Sequence, residues 1–177
     1  MTERLIGWIR SNENPSTIKH SARTAVAAVL SLLVAHLLRM PEAYWASIST
    51  LIVMQSTLGG ALPISAQRFA GTALGASVGA LIASRYPGNT LAFGIAVFAI
   101  GVLCAGVHIE RAAYRYAGIT LAIVMLIARN ESAWTAAAYL FTEVSVGIVV
   151  GLAITAAWQE HRIGAAASAY RGRITPS

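Results

Sequence analysis

The longest apolar stretch of the chain is WTAAAYLFTEVSVGIVVGLAITAA, residues 134 to 157. It contains one charged residue, Glu143, and Trp134 and Trp158 frame it. A helix of this length crosses the hydrocarbon core of a bilayer, and indole rings prefer the headgroup level at its two ends. This stretch therefore predicts a transmembrane helix, and the fold depends on how many similar helices accompany it.

Five further apolar stretches of similar length precede it. Of the 177 residues, 56% are apolar and 11% are charged, whereas a soluble domain has about 25% charged residues. Pro41, Pro63 and Pro87 separate several of the stretches, and proline ends helices. The sequence predicts an all-α integral membrane protein with six transmembrane helices. The predicted spans are 21 to 38, 43 to 62, 68 to 85, 90 to 108, 113 to 128 and 134 to 157.

The positive charges predict the orientation of these spans. Of the 13 Lys and Arg residues, ten fall on the side of the N-terminus, and Arg39, Arg85 and Arg129 fall on the other side. By the positive-inside rule both termini of this multi-pass membrane protein are cytoplasmic. The membrane domain then covers 18 to 158, and the cytoplasmic tail covers 159 to 177.

The two ends of the chain lie outside the predicted spans. Residues 1 to 17 alternate apolar and basic side chains and form either a short interfacial helix or a frayed terminus. Residues 162 to 177, at the end of the tail, are predicted to be disordered.

An internal repeat is visible in the glycines. Gly75 and Gly79 recur as Gly147 and Gly151 at a shift of 72, and the pair Thr50 and Leu51 recurs as Thr120 and Leu121 at a shift of 70. Each half has three spans, so the second half would enter the membrane from the opposite face. This predicts a 3+3 inverted repeat, an arrangement common in secondary transporters. Glycines one turn apart also permit close helix packing, and Gly71 adds a third in the first half.

Glu143 is the acid that falls within a predicted span, near the middle of the bilayer. An ionised carboxylate at that depth costs several kcal/mol unless it is paired, hydrated or protonated. Its functional interpretation is a proton carrier or a counter-charge. The structural alternative is a protonated side chain that hydrogen-bonds between helices.

Other polar and aromatic residues are candidates for a substrate pathway. Gln55 is placed at a similar depth and would bind a substrate oxygen or cross-link helices. Arg68 stands near the predicted start of the third helix, where its guanidinium would attract an organic anion or reach the headgroups. Tyr44 and Trp45 would stack on an aromatic ligand or belong to the interfacial aromatic belt.

Several other function classes lack their residues. The chain has no Asp, no nucleophile elbow, no zinc-protease motif and no phosphate-binding loop. We therefore predict no enzyme, no cofactor and no metal. The net charge of +6 comes from residues at the ends of apolar segments, which favours a lipid bilayer rather than nucleic acid as partner.

The first half of the chain resembles a known family. The motifs are Arg23 in the first span, AYWA at 43 to 46 with VMQ at 53 to 55, and RFAGT at 68 to 72 followed by Gly75 and Gly79. In order and spacing they resemble the fusaric acid resistance and aromatic acid exporter family. Leu140 departs from the pattern, because relatives often have Arg there, and relatives are commonly longer.

The resemblance implies an inner-membrane efflux transporter for aromatic or other organic acids. The leading hypothesis is a proton-coupled exporter in which Arg68 attracts the anion, Gln55 and Thr72 line the route, and Glu143 couples or gates. A module this small predicts a homodimer. A passive anion channel and a non-transporting accessory membrane subunit are the alternatives.

Overall fold

The fold consists of helices alone in the part of the chain that is described. A computed structural model describes residues 15–54, 58–106, 111–127 and 132–174. Within these ranges there are six helices and no strand, and a π-helical segment, Ile123–Ile127, continues the fifth helix. The predicted all-α class is confirmed. The helices are α1 Pro15–Leu37, α2 Tyr44–Val53, α3 Leu58–Ala83, α4 Thr90–Gly106, α5 Arg111–Ala122 and α6 Ala133–Ile174.

Two of the described helical segments, His20–Leu37 and Ala133–Trp158, are long and apolar enough to cross a membrane. Three others, Tyr44–Val53, Thr90–Gly106 and Ala112–Ile127, are apolar but shorter. The outer surface of α4 carries exposed apolar side chains, among them Leu91, Ile95, Phe98 and Val102. This composition is consistent with a membrane protein.

The second and third helices differ from the predicted spans. Helix α2 ends at Val53, Met54 is extended, and α3 begins at Leu58. Pro63, which was predicted to separate two spans, lies inside α3. That expectation was wrong because a proline near the start of a helix removes one hydrogen bond and leaves the later ones intact. With ten residues, α2 is about 15 Å long, roughly half of a membrane crossing.

The C-terminal segment also differs from the prediction. Helix α6 continues to Ile174, so the disorder predicted for 162 to 177 is wrong as far as that residue. The segment is rich in alanine and has no proline before Pro176, and alanine is the strongest helix former. The predicted interfacial helix within 1 to 17 lies, up to residue 14, outside the described residues.

The helices pack as two parallel pairs. Along α2 and α6, contacts join Glu42 to Glu143 and Met54 to Thr155, so residue numbers rise together. Along α3 and α5, Gly71 lies against Ala113 and Gly75 lies against Ala117, again in rising order. Buried apolar side chains fill the space between the pairs, with Val53, Val124 and Val144 in one cluster.

The π-helical segment packs against the turn between α3 and α4. A π turn shifts the hydrogen-bond pattern and leaves a carbonyl for another donor. Here the Gly88 N–H donates to the Met125 carbonyl at 3.2 Å. Gly88 has a φ of 69°, a conformation that glycine adopts at little cost.

Candidate functional site

Glycines bring α2 and α6 into direct backbone contact. A Cβ placed on Gly147 would collide with the carbonyl oxygen of Ala46 and lie 2.8 Å from the Cβ of Ser49. One turn later, a Cβ on Gly151 would lie 3.5 Å from the nearest atom, in Val53. The Thr50 hydroxyl donates to the Gly147 carbonyl at 2.8 Å, which adds a hydrogen bond between the two helices.

The same kind of contact joins α3 and α5. A Cβ on Gly71 would collide with the Ala113 carbonyl, and one on Gly75 would collide with the Ala117 carbonyl. At Gly79 the nearest atom, 3.2 Å away, belongs to the side chain of Val124. The five glycines predicted to pack helices therefore all lie at helix contacts, with Gly79 and Gly151 the less crowded member of each pair.

Glu143 is fully buried beside the N-terminus of α2. Its Oε1 accepts a hydrogen bond from the backbone N–H of Glu42 at 2.8 Å. Its Oε2 is buried and has no hydrogen-bond partner in the described part of the chain. No side chain caps α2 at Ala43. Because the Glu143 carboxyl binds the N–H of the preceding residue, Glu42, it lies near this end of α2, which is the positive end of the helix dipole.

Glu42 connects Glu143 to the two predicted aromatic residues. The indole Nε1–H of Trp45 donates to Oε2 of Glu42 at 2.9 Å. The ring of Tyr44 is tilted against that of Trp45, with centroids 5.4 Å apart. Glu42, Tyr44, Trp45 and Glu143 therefore lie together near the start of α2. Glu42 falls between the first two predicted spans, and its spacing of three from Trp45 allows this side-chain contact.

Replacing Trp45 with phenylalanine tests this arrangement. The change keeps an aromatic ring and removes the donor to the Glu42 carboxylate. A hydrogen bond to a charged group contributes about 1.5–3 kcal/mol, and we expect a loss of that order in the free energy of unfolding in detergent micelles. Trp134→Phe is the control, since Trp134 is exposed. Equal stability of the two variants would contradict a structural role for the Trp45 indole.

Arg68 lies in the interior of the protein rather than at the start of a helix. Helix α3 begins ten residues before it, about 15 Å along the axis, so the predicted position at the helix start was wrong. Its side chain is 4% exposed. Nε and Nη2 donate to the Ser49 hydroxyl at 3.2 and 3.1 Å, and the guanidinium lies over the ring of Tyr116, 5.1 Å from the centroid.

Thr72 follows Arg68 by one helical turn. Its side chain is buried, and its hydroxyl has no hydrogen-bond partner among the described residues. The structure thus places these two predicted pathway residues on neighbouring turns of α3. Gln55, the third, lies outside the described residues.

The two groups of polar residues contact α2 and the residues just before it at different points. Arg68 contacts it at Ser49, and Glu143 contacts the chain at Glu42, seven residues earlier. Seven residues correspond to about 10 Å of helix. Sequence reasoning missed Ser49 and Glu42, which connect these groups to α2. No group of three or more His, Cys, Asp or Glu side chains within the described ranges is placed to hold a metal ion.

A model of the family described as fusaric acid resistance protein-like matches residues 27–154 of the chain. The chain belongs to this family. The resemblance inferred from the motifs is thereby confirmed, and it extends over most of the chain. Membership of the fusaric acid resistance protein-like family, together with the helical composition, indicates a membrane protein related to transporters.

Curated proteins that are similar to this chain are longer. "Uncharacterized transporter YdhK" of Escherichia coli (strain K12) is 32% identical over 157 residues, which is 84% of this chain and 23% of that protein. The protein of the same name from Salmonella typhimurium is 32% identical over 142 residues, 75% of this chain and 21% of the relative. The chain therefore spans about a quarter of the length of these relatives.

Proposed function

We propose that this chain forms a proton-coupled exporter of organic anions, with aromatic carboxylates as the substrate class. The observation that carries the proposal is Arg68, a buried guanidinium whose hydrogen-bond partner in the described part of the chain is the neutral hydroxyl of Ser49. A buried cation is costly unless an anion accompanies it. A carboxylate substrate would supply that charge, in the bidentate geometry that guanidinium groups favour.

The surroundings of Arg68 suit an aromatic acid. The Tyr116 ring already lies against the guanidinium, and an aromatic ring offers a face for a second ring. The Thr72 hydroxyl, one turn away, has no partner among the described residues and can donate to a substrate oxygen. These three residues supply the charge, the stacking surface and the neutral polar contact that such a substrate needs. Gln55 remains a predicted residue of the route.

The packing supports the inverted repeat on which the transport hypothesis depends. Gly75 meets Ala117 as Gly147 meets Ala46, and each contact joins the third helix of one half to the second helix of the other. Phe69 and Phe141, which a shift of 72 relates, contact each other with centroids 5.0 Å apart. A contact between two equivalent residues is expected where both lie beside the two-fold axis that relates the two halves of the repeat.

The contacts adjust the predicted alignment of the second helices. Gly79 meets Leu121, whereas Gly151 meets Thr50. Thr50 therefore corresponds to Leu121, at a shift of 71, rather than to Thr120 at 70. A shift of 72 places Leu140 at the position equivalent to Arg68, and Leu140 is buried in the apolar core. The proposed pathway is therefore asymmetric, with its guanidinium contributed by the first half.

The protein would function as a homodimer in the inner membrane, with both termini in the cytoplasm. The topology rests on the charge asymmetry, and a two-fold dimer is the commonest closed arrangement of identical subunits. Cross-linking in native-like membranes should capture a dimer. A purely monomeric population would overturn this part of the proposal.

Transport by purified protein in proteoliposomes tests the function. We expect flux of aromatic carboxylates that depends on a pH gradient in the wild type, and Glu143→Gln should abolish the gradient dependence while the protein stays folded. Gln is nearly isosteric and its carbonyl can still accept from the Glu42 N–H. Wild-type flux that is equal with and without the pH gradient would favour an anion channel. A folded protein without flux would favour an accessory subunit.

A further inference from the structure

Glu143 approaches a second carboxyl-bearing residue that the transport hypothesis does not include. Its Oε1 is bonded to the backbone of Glu42, and the side chain of Glu42 turns toward Trp45 at the start of α2. We propose that Glu42 and Glu143 act as one proton-binding pair, in which Trp45 positions Glu42 and a single proton resides on Oε2 of Glu143. This inference rests on the proposed function, because it names the group that binds the coupling ion.

The burial of Glu143 argues for a bound proton. The side chain has no exposed surface, and the one hydrogen bond recorded for its carboxyl in the described part of the chain involves Oε1. An ionised carboxylate with an unpartnered oxygen in such a place loses its hydration without replacement. A proton on Oε2 removes the charge, and it leaves Oε1 free to accept from the Glu42 N–H.

The second acid explains why one proton is held rather than two. Glu42 is half-buried, and its carboxylate accepts the indole N–H of Trp45 at 2.9 Å. That bond gives the Glu42 carboxyl a donor, whereas Oε2 of Glu143 has none among the described residues. Two neighbouring carboxyl groups do not readily ionise together. The pair therefore carries one negative charge with the proton bound and two when the proton leaves to water.

The charged and titratable groups near the pair belong to several elements. Among the described residues, Glu42 and Tyr44 interact electrostatically with Glu143. The helices packed against α6 carry two buried cations, Arg23 on α1 and Arg68 on α3. Arg23 is hydrogen-bonded to His20, and Arg68 to Ser49. His36, at the end of α1, is exposed and bonds the Leu32 carbonyl.

Proton release would act on α2. When Oε2 loses its proton, the bond from the Glu42 N–H to Oε1 becomes charge-assisted and shorter, which draws the N-terminus of α2 toward α6. The same short helix carries Ser49, the hydrogen-bond partner of Arg68. Proton occupancy and the availability of the Arg68 guanidinium are thereby linked through one rigid element.

Fluorescence of Trp45 in the intact protein tests the pair without any substrate. Trp8, Trp134 and Trp158 are replaced with Phe, and the emission of the remaining Trp45 is followed in proteoliposomes over a pH series that brackets neutrality. We expect one pH-dependent transition, absent in both Glu143→Gln and Glu42→Gln.

The outcomes separate this inference from the transport hypothesis. A transition that persists in Glu143→Gln, or that follows the NaCl concentration rather than pH, would overturn the proton-binding pair. Loss in Glu143→Gln but not in Glu42→Gln would overturn the participation of Glu42. A transition lost in both variants, in a protein without anion flux, would support the pair and refute the exporter. Proton-coupled flux without any transition would refute the pair alone.

Discussion

Replacing Gly147 with alanine is expected to prevent α2 from packing against α6, whereas Gly151→Ala is expected to leave the fold intact. At Gly147 the new methyl group would collide with the backbone of Ala46 and would lie 2.8 Å from Ser49 Cβ. Backbone atoms cannot rotate away, so the helices must separate. At Gly151 the nearest atom would be 3.5 Å away, an ordinary contact.

The expected changes in the free energy of unfolding differ between Gly147→Ala and Gly151→Ala in sign as well as in size. Alanine in a helix is favoured over glycine by about 1 kcal/mol, so Gly151→Ala should be neutral or slightly stabilising. Overpacking costs about 1–3 kcal/mol and sometimes more, and the Gly147 collision should exceed the gain in helix propensity. Chemical unfolding in detergent micelles gives both values. Similar stability of the two variants would contradict the close approach of α2 and α6.

The second parallel pair, α3 and α5, allows the same comparison of two glycines to be repeated independently. Gly75→Ala would bring a Cβ within 2.9 Å of the Ala117 backbone, whereas Gly79→Ala would place a Cβ 3.2 Å from the Val124 side chain and 3.5 Å from the Leu121 Cα. We expect Gly75→Ala to be the more destabilising by at least about 1 kcal/mol. Gly94→Ala is the control for helix propensity alone, because a Cβ added at Gly94 would meet no atom within 4 Å.

The overall class of the fold follows from the sequence because length and hydropathy determine it directly. A stretch such as 134 to 157 has few alternatives to a helix, since a backbone in lipid must satisfy its own hydrogen bonds. The pattern of glycines also identified residues that lie at helix contacts. These features are local, and each is visible in a window of a few helical turns.

The division of the second span was not predictable in the same way. Residues 43 to 62 are apolar throughout, and Pro63 is the strongest local signal for a helix end. Helix α2 instead ends at Val53, and Val53 and Met54 lie against Gly151 and Thr155 of α6. Hydropathy averages over about twenty residues, so it does not resolve a helix end within an apolar stretch.

The error at the helix boundary carried over into the candidate site. With α3 assumed to begin near residue 68, Arg68 was assigned to a helix start, where its side chain would reach the headgroups. The structure buries it beside Ser49 and Tyr116. The importance of Glu42 is likewise a tertiary property, because its partner Glu143 lies 101 positions away in the sequence.

Arg68→Gln should separate the roles of this residue in folding and in transport. The change removes a buried charge but keeps a side-chain amide that can bond the Ser49 hydroxyl. Removing a buried charge without a counter-charge is neutral or stabilising, so we expect unchanged or higher stability. Organic anion flux should fall about 10- to 100-fold, the equivalent of a charged hydrogen bond of about 1.5–3 kcal/mol.

Arg68→Lys sharpens the same experiment by keeping the charge. A lysine ammonium lacks the planar fork that pairs with a carboxylate in two places and that lies flat over the Tyr116 ring. We therefore expect flux between those of the wild type and Arg68→Gln, with the larger loss for aromatic substrates. Thr72→Val, which removes the unpartnered hydroxyl at similar volume, is the matched variant and should lower flux less. If Arg68→Gln unfolds the protein while Arg68→Lys behaves as the wild type, the guanidinium serves packing, and the anion site must lie elsewhere.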